Sequence, residues 1–293
     1  MSELIGRSGP LGRPPVPAPY QLPFHYGALH NIGVDYLVDP DPVRALLAKR
    51  HPALAAADFG GRACVTLNYQ LYFAQYPNGG GVTQEIEYSI IAHPAGEADR
   101  VAGLSYQEFA HGHDQTKLLG IARLHVLCDN PMAIDAGTRL YGEPKYPAWF
   151  EAEMPSLNGP SGERWSVTCR SAELSSDGTA LERRDTELFS LTADLAGLAS
   201  DPVNNTPITG YGTDADGRPL AGPMNVYHPY RHHTVDAAGA DRIRLSVADG
   251  ASEVGEHLTG LIADRPAAGV WWYQSPPVAA HNHPYYLPGH LQQ

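Results

Sequence analysis

Apolar and polar positions alternate with a period of two over much of the chain, and that alternation predicts strands. It is clearest in Ala63-Cys64-Val65-Thr66-Leu67-Asn68-Tyr69-Gln70-Leu71-Tyr72-Phe73. Strands are expected over 63–74, 82–92, 101–110, 119–128 and 132–136, and again near 163–173, 180–192, 223–229, 241–248 and 268–274. Pro77-Asn78-Gly79-Gly80-Gly81, between the first two, has the composition of a hairpin turn. Helical signals are fewer. Asp39 to Arg50 reads as a short helix, with Asp41 as cap and Pro42 in the first turn. Ser252 to Ala263 reads as another, weakened by Gly255 and Gly260. Residues 1–23 predict an irregular arm, rich in Pro and Gly from residue 8, and 275–293 an extended Pro- and His-rich tail. No repeat, low-complexity tract or linker divides the chain. The expectation is one α+β domain over 1–293, mainly antiparallel β with a few short helices. Closing so many strands into a barrel or cone would remove exposed sheet edges.

Composition narrows the function. The 293 residues are 43% hydrophobic and 18% charged, as in a globular protein. A net charge of −12 argues against a nucleic-acid partner, because phosphate binding needs a basic surface. Cys64, Cys128 and Cys169 are widely spaced and form no CxxC pair, which suggests reduced thiols in the cytoplasm. Met1-Ser2-Glu3-Leu4-Ile5-Gly6-Arg7 lacks the layout of a secretion signal, and no apolar run approaches a membrane span. GxSxG, Walker A, GxGxxG and HExxH motifs are absent. The glycines at 79–81 have no lysine after them and precede a strand pattern, so they make a turn rather than a phosphate loop.

Lysine is scarce: only Lys49, Lys117 and Lys145 occur. Lys49 lies in a charged run and Lys117 in a polar turn before a strand. Lys145 is framed by Pro144 and Pro147 and followed by Trp149 and Phe150. An amine held against apolar walls loses hydration of its charged form, which lowers its pKa. A neutral amine can attack a ketone and form a Schiff base. The alternative is a surface lysine in a Pro-rich loop. Glu85 and Glu87 share one strand face, either in a site or in solvent. Tyr227-His228-Pro229-Tyr230-Arg231-His232-His233 and His281-Asn282-His283 hold histidine pairs that read as surface loops or subunit contacts, with a metal site as the other reading.

The segment Asp129-Asn130-Pro131-Met132-Ala133-Ile134-Asp135-Ala136-Gly137-Thr138-Arg139-Leu140-Tyr141-Gly142-Glu143-Pro144-Lys145 resembles the lysine motif of the acetoacetate decarboxylase-like superfamily. Tyr106-Gln107-Glu108 resembles that family's Tyr-x-Glu, and Arg242 to Leu245 and Val270 to Tyr273 resemble its last strands more loosely. The likeness is good over about 100–150, faint from 30 to 50 and after 240, and absent in the first 20 residues. Two features depart from the pattern. Tyr146 stands where typical decarboxylases carry a second lysine, and Ala28-Leu29-His30-Asn31 stands where a carboxylate-binding arginine is usual.

The resemblance implies a cofactor-independent, metal-free carbon–carbon lyase acting on a small keto acid. It would be a homo-oligomer with Lys145 as the Schiff-base residue. The chemistry would be decarboxylation of a β-keto acid, or aldol or dehydration chemistry on a pyruvate-like acid. The departures point to a specialised substrate, as in secondary metabolism. The alternative is a non-catalytic protein of the same fold that binds a small carbonyl compound or acid. Glu108 and Tyr106 would share a strand face beside the lysine, with Glu108 moving protons; a solvated strand face is the other reading. Glu87 would supply a second carboxylate. Arg139 would bind the substrate carboxylate through its planar fork, or instead form a salt bridge to Glu108 or Glu143. Tyr141 and Tyr273 are candidate pocket phenols or core aromatics, and Trp271 and Trp272 are expected to pack.

Overall fold

The computed structural model describes residues 12–101, 103–156, 158, 163–262, 264–280 and 282–284. The rest of the expected arm (1–11) and tail (281, 285–293), with His281, lies outside the described residues. Residues 12–25 contain neither strand nor helix.

The chain runs through strand β1 (Tyr26–Val38), helix α1 (Pro40–Arg50), β2 (Leu54–Ala56), β3 (Ala63–Tyr76), β4 (Gly79–Pro94), α2 (Tyr106–Ala110) and β5 (Gly120–Cys128). It continues through α3 (Pro131–Tyr141), β6 (Lys145–Glu153), β7 (Arg164–Leu174), β8 (Leu181–Asp194) and β9 (Asp201–Val203). The last elements are β10 (Ile208–Thr213), β11 (Pro219–Met224), β12 (Tyr230–Thr234), β13 (Ile243–Val247), α4 (Glu253–Leu261) and β14 (Gly269–Gln274).

The strands form one sheet in the order β13-β8-β7-β6-β5-β4-β3-β1-β14-β12-β9. Pairing is antiparallel except at β5, whose first residues run parallel to β10 and whose last run parallel to β6. The sheet therefore branches at β5, and its hydrogen bonds do not close it, contrary to the expected barrel. The described edges are protected in another way. β13 is five residues long and carries Arg244, β9 is three residues with Pro202 at its centre, and β11 carries Pro219 and Pro223.

Two predicted strands are helices. The 132–136 segment belongs to α3, whose start is set by Asn130, which accepts from the backbone N–H groups of Met132 and Ala133, and by Pro131 behind it. Its end is Gly142, at φ +62°. The 101–110 segment contains α2, opened by a capping box between Ser105 and Glu108. Near 223–229 the strand stops at Met224, and the next begins at Tyr230. His232 and His233, expected in a surface loop, are buried in β12. His233 bonds the Ala199 carbonyl and accepts from Trp272.

The two faces of the central strands differ in kind. Ile32, Val34 and Tyr36 of β1, Val65, Leu67 and Tyr69 of β3, and Ile86, Tyr88 and Ile90 of β4 point into the main core. There they meet Trp165 and Val167 of β7, Phe189 and Leu191 of β8, and Leu47 and Leu258 from α1 and α4. Each fully buried side chain of this size contributes about 1.5–3 kcal/mol. The opposite face carries Asn31, Asp35, Thr66, Asn68, Gln70, Glu85 and Glu87, and it is also buried. A bulge in β5 adjusts the parity there. Tyr88 pairs with His125 but Ser89 pairs with Arg123, leaving Leu124 as the extra residue. Ala122 before the bulge, Leu124 in it and Leu127 after it all reach the core, while Arg123 turns to the polar side.

Beside the core, His125 lies between Tyr146 (3.0 Å) and His257 (2.7 Å). Burial, then the charges of His257 and Arg50, push its pKa down to about 3. Burial, with His111 and His233 adding to it, pushes His232 down to about 4. Both rings are neutral when folded, whereas an unfolded histidine takes up a proton near pH 6.5. Stability should therefore fall as pH drops below about 6.5, because the unfolded chain binds more protons. We expect the melting temperature to decline between about pH 7 and pH 5, with a shallower decline in His125→Gln, measured by thermal denaturation across that range.

Candidate active site

Lys145 is the first residue of β6, reached through a βαβ crossover in an otherwise antiparallel region. β5 leads into α3, Gly142 ends that helix, and Glu143-Pro144 bring the chain back beside β5, where Val126 donates to the Pro144 carbonyl (3.1 Å). The register pairs Val126 with Lys145. The lysine side chain runs along α3 at Gly137. A Cβ on Gly137 would collide with the Glu143 carboxylate and sit 2.7 Å from Lys145 Cδ. The helix is bare at this point because the Glu143 and Lys145 side chains occupy the space.

The Lys145 amine lies 2.6 Å from Glu85 Oε2 and 3.7 Å from Glu143 Oε2. Glu85 also accepts from the Tyr72 hydroxyl at 3.0 Å. Glu143 connects to Arg123 Nη1 at 3.5 Å, and Arg123 Nε donates to Glu87 at 2.8 Å. Two cations and three carboxylates thus form one buried chain, each side chain at most 11% exposed. Full ionisation would leave one uncompensated negative charge, which is costly in a poorly solvated site. The pKa directions fit that surplus. Burial raises Glu87, Arg123 opposes the rise, and Glu85 and Glu143 reinforce it. Burial would also raise Glu143, but Arg123 and Lys145 hold it below its ordinary value.

Lys145 departs from expectation. Burial acts to lower its pKa, but Glu85, with Cys128 and Glu143, outweighs burial and raises it well above the ordinary lysine value. That direction favours the ammonium form of the amine. The apolar-wall argument fails because Trp149 is at the surface, bonded to the Arg184 carbonyl, and Phe150 faces the core rather than the amine.

Three spaces meet at Arg123 and Met224, which line all of them. A broad mouth of about 660 Å³ is bounded by Phe24, Tyr26, Tyr141 and Tyr273. A narrow pocket of about 60 Å³ contains Lys145, Glu85, Glu87, Glu143 and Tyr141. An inner chamber of about 120 Å³ lies along the polar face of β1 and β3.

The other sequence candidates separate clearly. Glu87 is in the charge chain, Tyr141 lines the lysine pocket, and Tyr273 lines the mouth and the chamber. Glu108 is not beside the lysine. It caps α2 at the surface, bonded to Ser105, because the segment is helical rather than extended. Tyr106 is buried and donates to Asp35 at 2.9 Å, outside the lysine pocket. Arg139 is on the outer side of α3, paired with Asp135 at 3.2 Å. Its predicted partners were Glu108 and Glu143, and helical spacing selects the residue four positions earlier instead. Trp271 donates to Asp35 and lines the chamber.

Sequence reasoning missed Arg123, placed Glu85 beside Glu87 on one strand face without a role of its own, and gave Glu143 only as a salt-bridge partner of Arg139. Arg123 left one signal, a charged residue inside the apolar strand pattern Gly120 to Cys128. Among the described residues, no group of three His, Cys, Asp or Glu is placed to hold a metal ion, and no helix is long and apolar enough to cross a membrane.

No protein-family model matches the chain, and none of the curated proteins matches it. Solved structures do. MppR, an enduracididine biosynthesis enzyme, is similar in its complex with pyruvate, with a TM-score of 0.53 and 14% identity over 92% of this chain and 89% of that one. MppR with the condensation product of pyruvate and imidazole 4-carboxaldehyde gives 0.53 and 15% over 92% and 88%. An acetoacetate decarboxylase from Legionella pneumophila gives 0.49 and 12% over 88% and 87%. The chain shares its fold, the acetoacetate decarboxylase-like fold, with MppR.

Two substitutions test the geometry. Glu85→Gln removes the carboxylate that raises Lys145, so the midpoint pH for acylation of Lys145, followed by peptide mass spectrometry, should fall by at least about one unit. Gly137→Ala should displace the lysine and change the reactivity of Lys145 selectively, leaving that of Lys49 unchanged in the same digest.

Proposed function

We propose that the protein is a keto-acid enzyme in which Lys145 forms a Schiff base with its substrate. The observation that carries this reading is a buried amine that lines a cavity, 2.6 Å from a carboxylate able to accept its proton. Glu85 takes one proton from the ammonium, and the neutral amine attacks the substrate ketone. The carbinolamine loses its hydroxyl as water after proton transfer from the carboxylate cluster, leaving an iminium. The iminium accepts the electron pair of a breaking bond to the adjacent carbon, either C–CO₂, which leaves as CO₂, or C–H, whose proton passes to the carboxylate cluster, and an enamine forms. A proton or an aldehyde then adds to the enamine carbon, and water releases the product and the lysine. Arg123, where the three spaces meet, is the group suited to the substrate carboxylate, since its fork has N–H groups beyond those bonded to Glu87 and Glu143.

Activation differs from that of a lysine depressed by apolar burial. The amine is charged at rest and is deprotonated by a base in contact with it. Tyr146 does not take part, because it points to the opposite face of the sheet and bonds His125. The reported MppR complexes, one with pyruvate and one with a pyruvate condensation product, support pyruvate-like acids as the first compounds to test.

The test is reductive trapping. The protein is incubated with pyruvate, acetoacetate or a longer β-keto acid, reduced with borohydride, and mapped by peptide mass. At least one acid should add its reduced mass to Lys145, and Lys145→Met should lose that adduct. If folded wild-type protein gives no adduct with any acid, the iminium reading is wrong and a small-acid binding protein of the same fold takes its place.

A further inference from the structure

The inner chamber lies off the lysine pocket, and the proposed chemistry at Lys145 does not use it. Gln70, Glu87, Arg123 and Met224 line both spaces, so a molecule held at the lysine can extend past Arg123 into the chamber. The chamber walls are mixed. Ile91, Phe109, Leu119, Ile121 and Trp271 supply apolar surface. Among them lie polar side chains with atoms that have no protein partner: Asn31 Oδ1, Asn205 Oδ1, His232 Nδ1 and the Tyr273 hydroxyl, all buried. Buried polar groups are normally bonded, so several unmatched ones around one cavity mark a place built for a polar ligand.

The size and chemistry of the chamber limit that ligand. At about 120 Å³ it is on the scale of a cavity that accepts one benzene ring. The two asparagine oxygens can only accept hydrogen bonds, and the Tyr273 hydroxyl can accept or donate. Lys117 Nζ, whose bond is to the Asn205 carbonyl at 3.4 Å, adds a donor at the wall. The matching group is a ring-sized, neutral head with at least one N–H or O–H donor and one acceptor, such as a phenol or a neutral nitrogen heterocycle.

Backbone features hold these walls in place. Lys117 is at φ +55°, the left-handed region, in the segment that packs over the chamber. A Cβ on Gly112 would meet Asn205 Oδ1 at 2.8 Å, and one on Gly210 would meet Arg123 Nη1 at 2.5 Å. Larger residues at these glycines would push in the wall or shift the arginine at the junction.

We propose that the inner chamber is a second subsite that receives a neutral, donor-bearing, ring-sized group while Lys145 holds a keto acid. The group is either the tail of one longer keto acid or a separate aldehyde that joins the enamine. The keto-acid half of this inference rests on the function proposed above, whereas the binding of the ring group does not.

The experiment therefore has two readouts. In the first, borohydride trapping on Lys145 is titrated with pyruvate and with 4-hydroxyphenylpyruvate in wild type, Asn31→Leu and Tyr273→Phe. We expect the half-saturating 4-hydroxyphenylpyruvate concentration to rise by about tenfold in Asn31→Leu, as for loss of one buried hydrogen bond, with pyruvate unchanged to within about twofold. Adding 4-hydroxybenzaldehyde to pyruvate-loaded protein tests the other source, and a condensed mass on Lys145 that weakens in the same variants would assign it. In the second readout, phenol binding is followed by saturation-transfer NMR, which needs no Schiff base. Trapping that fails in wild type while phenol binds in an Asn31-dependent way would sink the proposed function and keep the chamber. Phenol that does not bind, or that binds equally to wild type and both variants, would overturn the chamber proposal. Equal weakening of pyruvate and 4-hydroxyphenylpyruvate would overturn it as well.

Discussion

The ion pair between Lys145 and Glu85 is the contact on which the rest of the site depends. Neither charge is tolerable alone in a buried position, and neither partner is satisfied by the other alone. Glu85 draws in the Tyr72 hydroxyl, Lys145 draws in Glu143, Glu143 reaches Arg123, and Arg123 requires Glu87. The result is a polar strand face inside a protein whose other strand face is a conventional apolar core. Carboxylates from β4 and the α3–β6 connection enclose two cations from β5 and β6. The three strands are held in register by their ladder, so the charges cannot separate without breaking backbone pairs. The lysine is thereby held within hydrogen-bond distance of a carboxylate that favours its charged form.

Much of this was readable in the sequence, but unevenly. Lys145 stood out because lysine is rare and because Pro144 precedes it in a resemblance. The strands of the β3–β4 hairpin and of β7 and β8 followed from alternation that the core requires. α3 was missed although its signals were present: Asn130 before Pro131 at the start and Gly142 at the end. The short apolar run between them was taken for period two. α2 was missed in the same way, since Ser105 and Glu108 have the capping-box spacing. That error carried Glu108 into the site, because two residues that share a face in a strand point apart in a helix.

The strand β1 was harder to read for a physical reason. One of its faces is apolar and the other carries Asn31 and Asp35, so its pattern does not separate core from solvent. A buried polar surface looks like an exposed one when only the sequence is read. The direction of the lysine pKa was also out of reach. It depends on Glu85 and Glu143 converging on one amine, and local context around Lys145 shows only the aromatics, which in the folded chain face elsewhere.

The position of β14 has a consequence for how the molecule comes into being on the ribosome. β14 follows every other described strand in the chain, yet it sits inside the sheet, hydrogen-bonded to β1 on one side and β12 on the other. Until residues 269–274 emerge, β1 has an open edge along the stretch that carries Asn31 and Asp35. During synthesis the nascent chain therefore presents a template for strand addition by any neighbouring chain. The first and last described strands must then find each other across all the described elements between them, a pairing of high sequence separation that slows folding. Trp271 and Tyr273 arrive with that strand, so the cavity walls are completed only after residues 269–274 have emerged.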